Sequence, residues 1–439
     1  MSLDSRIDKF AQLAIKSGIN VQPGESLLIR ADVESRDFVR RCVREAYKAG
    51  AKHVYVEYSD EVITREKYLS APSEAFDEYP EWQSYKYTQI AKEGGSFLSI
   101  ISNDPDLMKG VDPDRIGRFQ KEAGKYLKEW RSYTLNDRVK WSIVAVPSLA
   151  WAKRVHPNLA ENEAVEELWK NILDCSRVTE DPVAAWEDHN KNLKEKTAFM
   201  NKMNFKELRY KSSKTDLVIG LPDNHIWLGG AAKDPKGNFF NPNIPSEEIY
   251  GMPHKYKVDG IVHSTKPLVY AGSLIEDFWI RYEAGRVVDF DAKTGRDNLK
   301  NLIETDEGSF RLGEVALVPY DSPISNKNIV FYTTLFDENA SCHLAIGAAY
   351  SSCVKDGANI ADEDKDGLGI NVSMTHVDFM IGDKDLDIVF VTNELGMGLV
   401  GDTSLSRYFL EIGGKVNMYI ADRSQVMYFV VSGQPIRVK

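Results

Sequence analysis

The chain has 439 residues and a mass of 49.6 kDa, is 43% hydrophobic and 28% charged, and carries a net charge of −11 at pH 7. That length exceeds what one hydrophobic core ordinarily serves, so two domains are expected. The acidic balance argues against a nucleic-acid surface, which needs a clustered basic face. No apolar run approaches the roughly 20 residues that cross a bilayer, so a membrane span is not expected either.

The first 190 or so residues alternate between strand and helix patterns, as in a parallel sheet covered by helices. Ile7, Phe10, Ala11 and Ala14 form a helical stripe in a start too charged for a signal peptide. Ser26-Leu27-Leu28-Ile29 reads as a buried strand after the turn Pro23-Gly24, and residues 35–49 as a helix stopped by Gly50. Strands are expected at 53–58, 97–102 and 142–146, and helices at 81–93, 114–130, 164–174 and 183–199.

From about Phe205 the pattern changes to strands and tight turns: 215–220, 260–264, 280–283 and 287–290, with a hairpin at Ala284-Gly285. A short helix is expected at 297–304, a strand at 315–318, and a helix capped by Asp337 over 337–350. Residues 374–381, 386–391, 415–419 and 426–431 read as β again. The fold expectation is an α/β N-terminal domain with a mostly parallel sheet, residues 1–195, and an α+β, β-rich C-terminal domain, residues 196–439. Four dispersed cysteines (Cys42, Cys175, Cys342, Cys353) contain no Cys-x-x-Cys pair, which argues against a disulfide scaffold and fits a reducing cytoplasm.

The chemistry concentrates between Gly313 and Asp378. Only eight histidines occur in the chain, and His343 and His376 fall here among carboxylates. Glutamate, aspartate and imidazole together are the ligand set of a divalent metal such as zinc, cobalt or manganese. His376 and Asp378 sit two apart in an apparent strand, so both leave one face, with Val377 and Phe379 toward the core. His343 and Tyr350 are seven apart, two turns of the expected helix, with Glu338 on its first turn. Taken alone, His376-x-Asp378 is better explained as surface alternation. Two such pairs together with Glu314 and Glu248 favour a metal site.

Other signals are weaker. Asp362-Glu363-Asp364-Lys365-Asp366-Gly367 opens like a calcium loop, but Ser373 stands where a bidentate glutamate is required, so a solvated acidic segment is the better reading. No phosphate loop or nucleophile elbow is present, and the N-terminal α/β domain lacks the dinucleotide-binding glycine motif, so nucleotide binding there is not supported. The six remaining histidines lack carboxylates at ligand spacing, with His254 and His263 kept as candidates to line a substrate path. Tyr79, Trp82, Tyr85, Tyr87 and Trp151 read as core or interface.

At Asn243-Ile244-Pro245-Ser246-Glu247-Glu248, Asp259-Gly260, Leu312-Gly313-Glu314-Val315-Ala316, Thr334-Leu335-Phe336-Asp337-Glu338-Asn339-Ala340, His343-Leu344-Ala345-Ile346-Gly347 and His376-Val377-Asp378-Phe379-Met380, the chain resembles the thermophilic metalloaminopeptidase family, of the aminopeptidase T and aminopeptidase S type. The likeness extends to Val21-Gln22-Pro23-Gly24 and Ala46-Tyr47-Lys48-Ala49-Gly50-Ala51-Lys52, so it spans nearly the whole chain. Ser246 stands where threonine is common. The resemblance implies two divalent ions (zinc, cobalt or manganese) with Glu248, Glu314, His343, His376 and Asp378 as ligands, Tyr350 as a ligand or close neighbour, and Glu338 as a further ligand.

It further implies a metal-dependent aminopeptidase acting on short peptides with a free N-terminus, and a homodimer enclosing its active sites. Tyr350 suits an oxyanion donor, and Glu314 or Glu338 the proton carrier. The alternatives are a dipeptidase or amidase on the same centre, or a non-catalytic peptide-binding relative.

Overall fold

In the first half, four strands form one parallel sheet in the order β2-β1-β3-β4: β1 (Ser26–Asp32), β2 (His53–Ser59), β3 (Ser96–Ile101) and β4 (Trp141–Ala145). The structure is a computed structural model that describes residues 1–102, 104–357, 360–392, 428–431 and 434–437. Successive side chains of β1 enter opposite cores. Leu27 and Ile29 join Phe10, Phe38, Val39, Cys42, Leu168 and Ile172 on one side, while Leu28 meets Tyr87, Ala91 and Phe97 on the other. Each such apolar side chain contributes roughly 1.5–3 kcal/mol when fully buried, which is why the central strand is apolar on both faces.

The second half is antiparallel. Its strands are β5 (Glu207–Lys211), β6 (Asp216–Gly220), β7 (Ala232–Lys233), β8 (Phe239–Phe240), β9 (Ile249–Gly251), β10 (Val258–His263), β11 (Leu268–Tyr270), β12 (Ser273–Glu283), β13 (Arg286–Thr294), β14 (Leu312–Leu317), β15 (His343–Gly347), β16 (His376–Met380) and β17 (Asp387–Val391). One sheet runs β11-β12-β10-β6-β5-β17 with β13 on β12, and a second runs β16-β15-β14-β9. The expected hairpin at Ala284-Gly285 joins β12 to β13. Both turn residues have positive φ, 46° and 78°, the mirror-image turn that matches strand twist. A further hairpin pairs Tyr428–Val431 with Gln434–Arg437. The strand expected at 415–419, and residues 426 and 427 of the one at 426–431, lie outside the described residues.

One expected element is corrected. No helix covers 337–350: Thr334–Asp337 is a single helical turn, Glu338–Ala340 a 3-10 turn, and His343–Gly347 a strand. Asp337 does not cap a following helix. Its carboxylate instead accepts the N–H groups of Phe331, at 3.0 Å, and Thr333, at 3.2 Å. The alanine-rich stretch is helix-favouring in isolation, but β14 and β16 pair with it on both sides and bury all five strand residues.

The halves are closely joined. Helix Pro182–Met203 runs through the sequence junction and ends at Asn204, in left-handed conformation with φ 49°. Ile244, Phe331 and Phe336 from the second half complete the core beside β1.

Candidate metal centre

The three strands β14, β15 and β16 make a platform. Their register places Glu314, Ala345 and Asp378 in one cross-strand row, with His343 and His376 displaced two residues to either side on the same face. The middle of that face is nearly bare, because Ala345 and Gly347 carry little or no side chain. A Cβ on Gly347, which has a φ of 106°, would meet the Thr375 carbonyl at 2.2 Å. The ladder is irregular between Leu312 and Glu314, a bulge that re-aims the following side chain. Phe379 is buried beneath and Val377 packs on the same core, as the strand alternation predicts.

Glu248 arrives at the start of β9, which pairs with β14. Its neighbour Glu247 turns the other way and is gripped bidentately by Arg177 from the first half, with Nη2–Oε2 at 2.9 Å. Asn339 joins these segments. Its Oδ1 accepts the Glu247 N–H at 2.7 Å, and its amide donates to the Glu338 carboxylate at 3.3 Å.

Among the described residues, the ligand-type atoms fall into two groups, each with all members within 4.8 Å of one another: Glu248, Glu314 and His343, then Glu314, His376 and Asp378. Glu314 is common to both. Its Oε1 lies 3.7 Å from His343 Nε2 and its Oε2 3.4 Å from His376 Nε2. His343 Nε2 is 2.9 Å from Glu248, and His376 Nε2 is 3.6 Å from Asp378.

Both imidazoles are held in one tautomer. His343 Nδ1 faces the carbonyls of Glu338 (2.8 Å) and Ser341 (3.1 Å), and His376 Nδ1 faces that of Ala348 (2.7 Å). A carbonyl only accepts, so Nδ1 carries the proton and Nε2 points into the cluster. A backbone carbonyl that fixes Nδ1–H in this way leaves Nε2 oriented to ligate a metal.

Without a cation the cluster is electrostatically strained. Burial opposes charge on His343, but hydrogen bonds with Glu248 and Glu314 outweigh it and raise its pKa well above the usual value. Burial likewise opposes His376, and Asp378 and Glu314 overcome it, so its pKa also stands well above normal. Burial, then the charges of Asp378 and Glu248, push Glu338 well up, and burial also raises Glu248. Asp378 is held below the usual range because His376 and His343 outweigh its burial, yet its Oδ1 has no hydrogen-bond partner. Paired imidazole nitrogens, a shared carboxylate and an orphaned carboxylate oxygen fit two divalent ions.

The cavity above the platform has a volume of about 60 Å³. Glu338 and Tyr350 line it, Glu338 outside both ligand groups. The Tyr350 ring packs on His376 at 4.8 Å between centroids, and burial followed by the carboxylate charges keeps its phenol protonated. Two lining residues that sequence reasoning missed, Asp137 and Trp141, come from the first half. No local motif marks them, since only the docking of the halves brings them here. Neither His254 nor His263 is among the lining residues. The acidic stretch 362–366 contains a helical turn, and Asp366 pairs with Lys255 and Tyr256, in keeping with a solvated segment.

Residues 3–396 match the model of a family described as thermophilic metalloprotease (M29). Over 392 residues the chain is 48% identical to aminopeptidase AmpS of Bacillus subtilis, covering 89% of this chain and 96% of that one. It is 40% identical over 383 residues to aminopeptidase T of Thermus aquaticus, covering 87% and 93%. The solved structure of wild-type AmpT from Thermus thermophilus superposes with a TM-score of 0.82 at 38% identity, covering 89% and 96%. Residues 357–438 also match a model described as cobinamide kinase / cobinamide phosphate guanyltransferase. A 52-residue stretch is 42% identical to the Escherichia coli bifunctional adenosylcobalamin biosynthesis protein CobU, 29% of that protein. With the first match spanning most of the chain and the candidate ligand cluster lying wholly within it, the protein belongs to the thermophilic metalloprotease (M29) family.

Proposed function

We propose that the protein is an aminopeptidase that removes N-terminal residues from short peptides at a binuclear divalent-metal centre. The observation that carries this reading is the sharing of Glu314 between two three-residue ligand groups. In this reading Glu248 and His343 would hold one ion and His376 and Asp378 the other, with Glu314 available to both. Ions bound there lower the pKa of water toward neutrality and polarise a carbonyl, which is the chemistry peptide hydrolysis needs.

The chain's own residues do the rest. Tyr350 keeps its phenolic proton and donates a hydrogen bond to the oxygen that gains charge. Glu338, beside the cluster and oriented by Asn339, carries the proton to the leaving amine. Glu314, with both oxygens committed, is less suited to that role. We assign residues 1–195 to an α/β domain and 196–439 to the β-rich metal-binding domain. We further assign the active form to a cytoplasmic homodimer, which the four unpaired cysteines suit.

Dialysis against a chelator should abolish cleavage of aminoacyl-anilides, and zinc, cobalt or manganese should restore it. Short peptides with free N-termini should be trimmed stepwise while N-acetylated peptides and folded proteins survive. Full activity in metal-free protein ends the metal assignment. Equal rates on acetylated and free peptides would favour an amidase, and hydrolysis confined to dipeptides would favour a dipeptidase.

A further inference from the structure

Asp137 is a carboxylate in the cavity that belongs to neither ligand group. It follows the C-terminus of helix Pro113–Leu135 with a left-handed φ of 50°, a backbone that aspartate tolerates better than most residues, and its N–H bonds to the Thr134 carbonyl at 3.1 Å. That helix has 23 residues, and its dipole adds roughly half a negative charge at the same end. The carboxyl is pushed up to about 6 by burial, with only Trp141 opposing and no cationic group among the described residues contributing.

The charges show what Asp137 is free to do. Glu248, Glu314 and Asp378 belong to the ligand groups and Glu338 is assigned the proton transfer, so four carboxylates of the cavity already have a task. Asp137 is a fifth carboxylate in the same cavity. Trp141 and Tyr250 line the cavity too, and the charge of Asp137 reaches Tyr250. A carboxylate at a helix C-terminus, in a cavity that two aromatic side chains also line, attracts a small organic cation.

We propose that Asp137, flanked by Trp141 and Tyr250, binds the α-ammonium group of the peptide substrate and so makes a free N-terminus a condition of binding. This rests on the aminopeptidase reading and names the residue that enforces it. An amine held by a carboxylate stays protonated, whereas an amine that ligates a metal must be neutral. The first half of the chain thereby selects the substrate's end while the second half carries the cleavage chemistry.

The test pairs two ligands with two proteins. Leucine hydroxamate and 4-methylpentanoic hydroxamate differ only in the amine, and calorimetry gives Kd for each on metal-loaded wild type and on Asp137→Asn. The variant should bind leucine hydroxamate roughly 10- to 100-fold more weakly, as expected for loss of a charged hydrogen bond, and the desamino compound unchanged. Metal content should stay at the wild-type level, and Asp137→Ser provides a second neutral variant if the first fails to fold. Equal weakening of both ligands reduces Asp137 to a structural role. No change in either assigns the amine to the metals. Either result overturns the proposal. Failure of wild type to cleave free-amine anilides would instead count against the aminopeptidase reading itself.

Discussion

Replacing Glu314 by glutamine tests the shared-ligand geometry directly. The change keeps the shape of the side chain but removes one negative charge and turns one of its two oxygens into a group that cannot ligate. Because the ligand atoms of each group lie within 4.8 Å of one another, an ion central to a group is within about 3 Å of each. At that separation and an effective dielectric constant of about 20, each unit of ionic charge loses about 5 kcal/mol of attraction. Water returns part of it, and the measured cost of breaking a buried ion pair, about 3–5 kcal/mol, is a better guide to the net loss. This corresponds to a fall in affinity of roughly 10²- to 4 × 10³-fold for each ion.

The assay is metal stoichiometry by atomic spectroscopy after equilibration in metal-buffered solution, for wild type, Glu314→Gln, Glu248→Gln and Asp378→Asn. Wild type should hold two ions per chain, Glu314→Gln almost none, and the other two about one each. If Glu314→Gln kept one ion at wild-type affinity, or if all three variants lost both, the shared-ligand reasoning would be refuted.

Three further outcomes are expected. His376→Ala should lose metal and activity together while His53→Ala, on the exposed strand β2, keeps both; a fully metallated and active His376→Ala would mean the ligand assignment is wrong. Tyr350→Phe should lower kcat by on the order of 10²-fold with little change in KM, as for loss of one oxyanion donor, and a raised KM at unchanged kcat would reassign the phenol to substrate binding. In chelated protein, the raised values of His343, His376 and Glu338 mean that the folded state holds protons the unfolded state releases. The imidazole contribution is therefore fully present below about pH 6.5 and lost as pH climbs through the raised values, so calorimetric Tm should be lower at pH 9 than at pH 6. A Tm that rises between those pH values contradicts this.

The sequence was most legible where a residue's role depends on its immediate neighbours. His376 and Asp378 could be placed on one face because strand alternation needs no knowledge of the partner strand. Glu314 was equally accessible, at the head of a short apolar run. For His343 the helical spacing is misleading, because Leu344-Ala345-Ile346 is equally compatible with helix and buried strand, and only pairing to β14 and β16 decides between them. Asp137 and Trp141 left no trace, since their place at the cavity depends on how residues more than a hundred positions apart pack together. The same holds for Arg177, whose hold on Glu247 distinguishes the two adjacent glutamates.

That grip has a mechanical consequence. Arg177 stands on the first half of the chain and Glu247 is the residue next to Glu248, so a movement that separates the halves pulls on a side chain of the ligand cluster. Coupling of this kind is reciprocal: whatever occupies the cluster and fixes Glu248 must also resist separation of the halves, by the same free energy. If a metal occupies the cluster, its affinity and the stiffness of the seam between the halves should therefore change together.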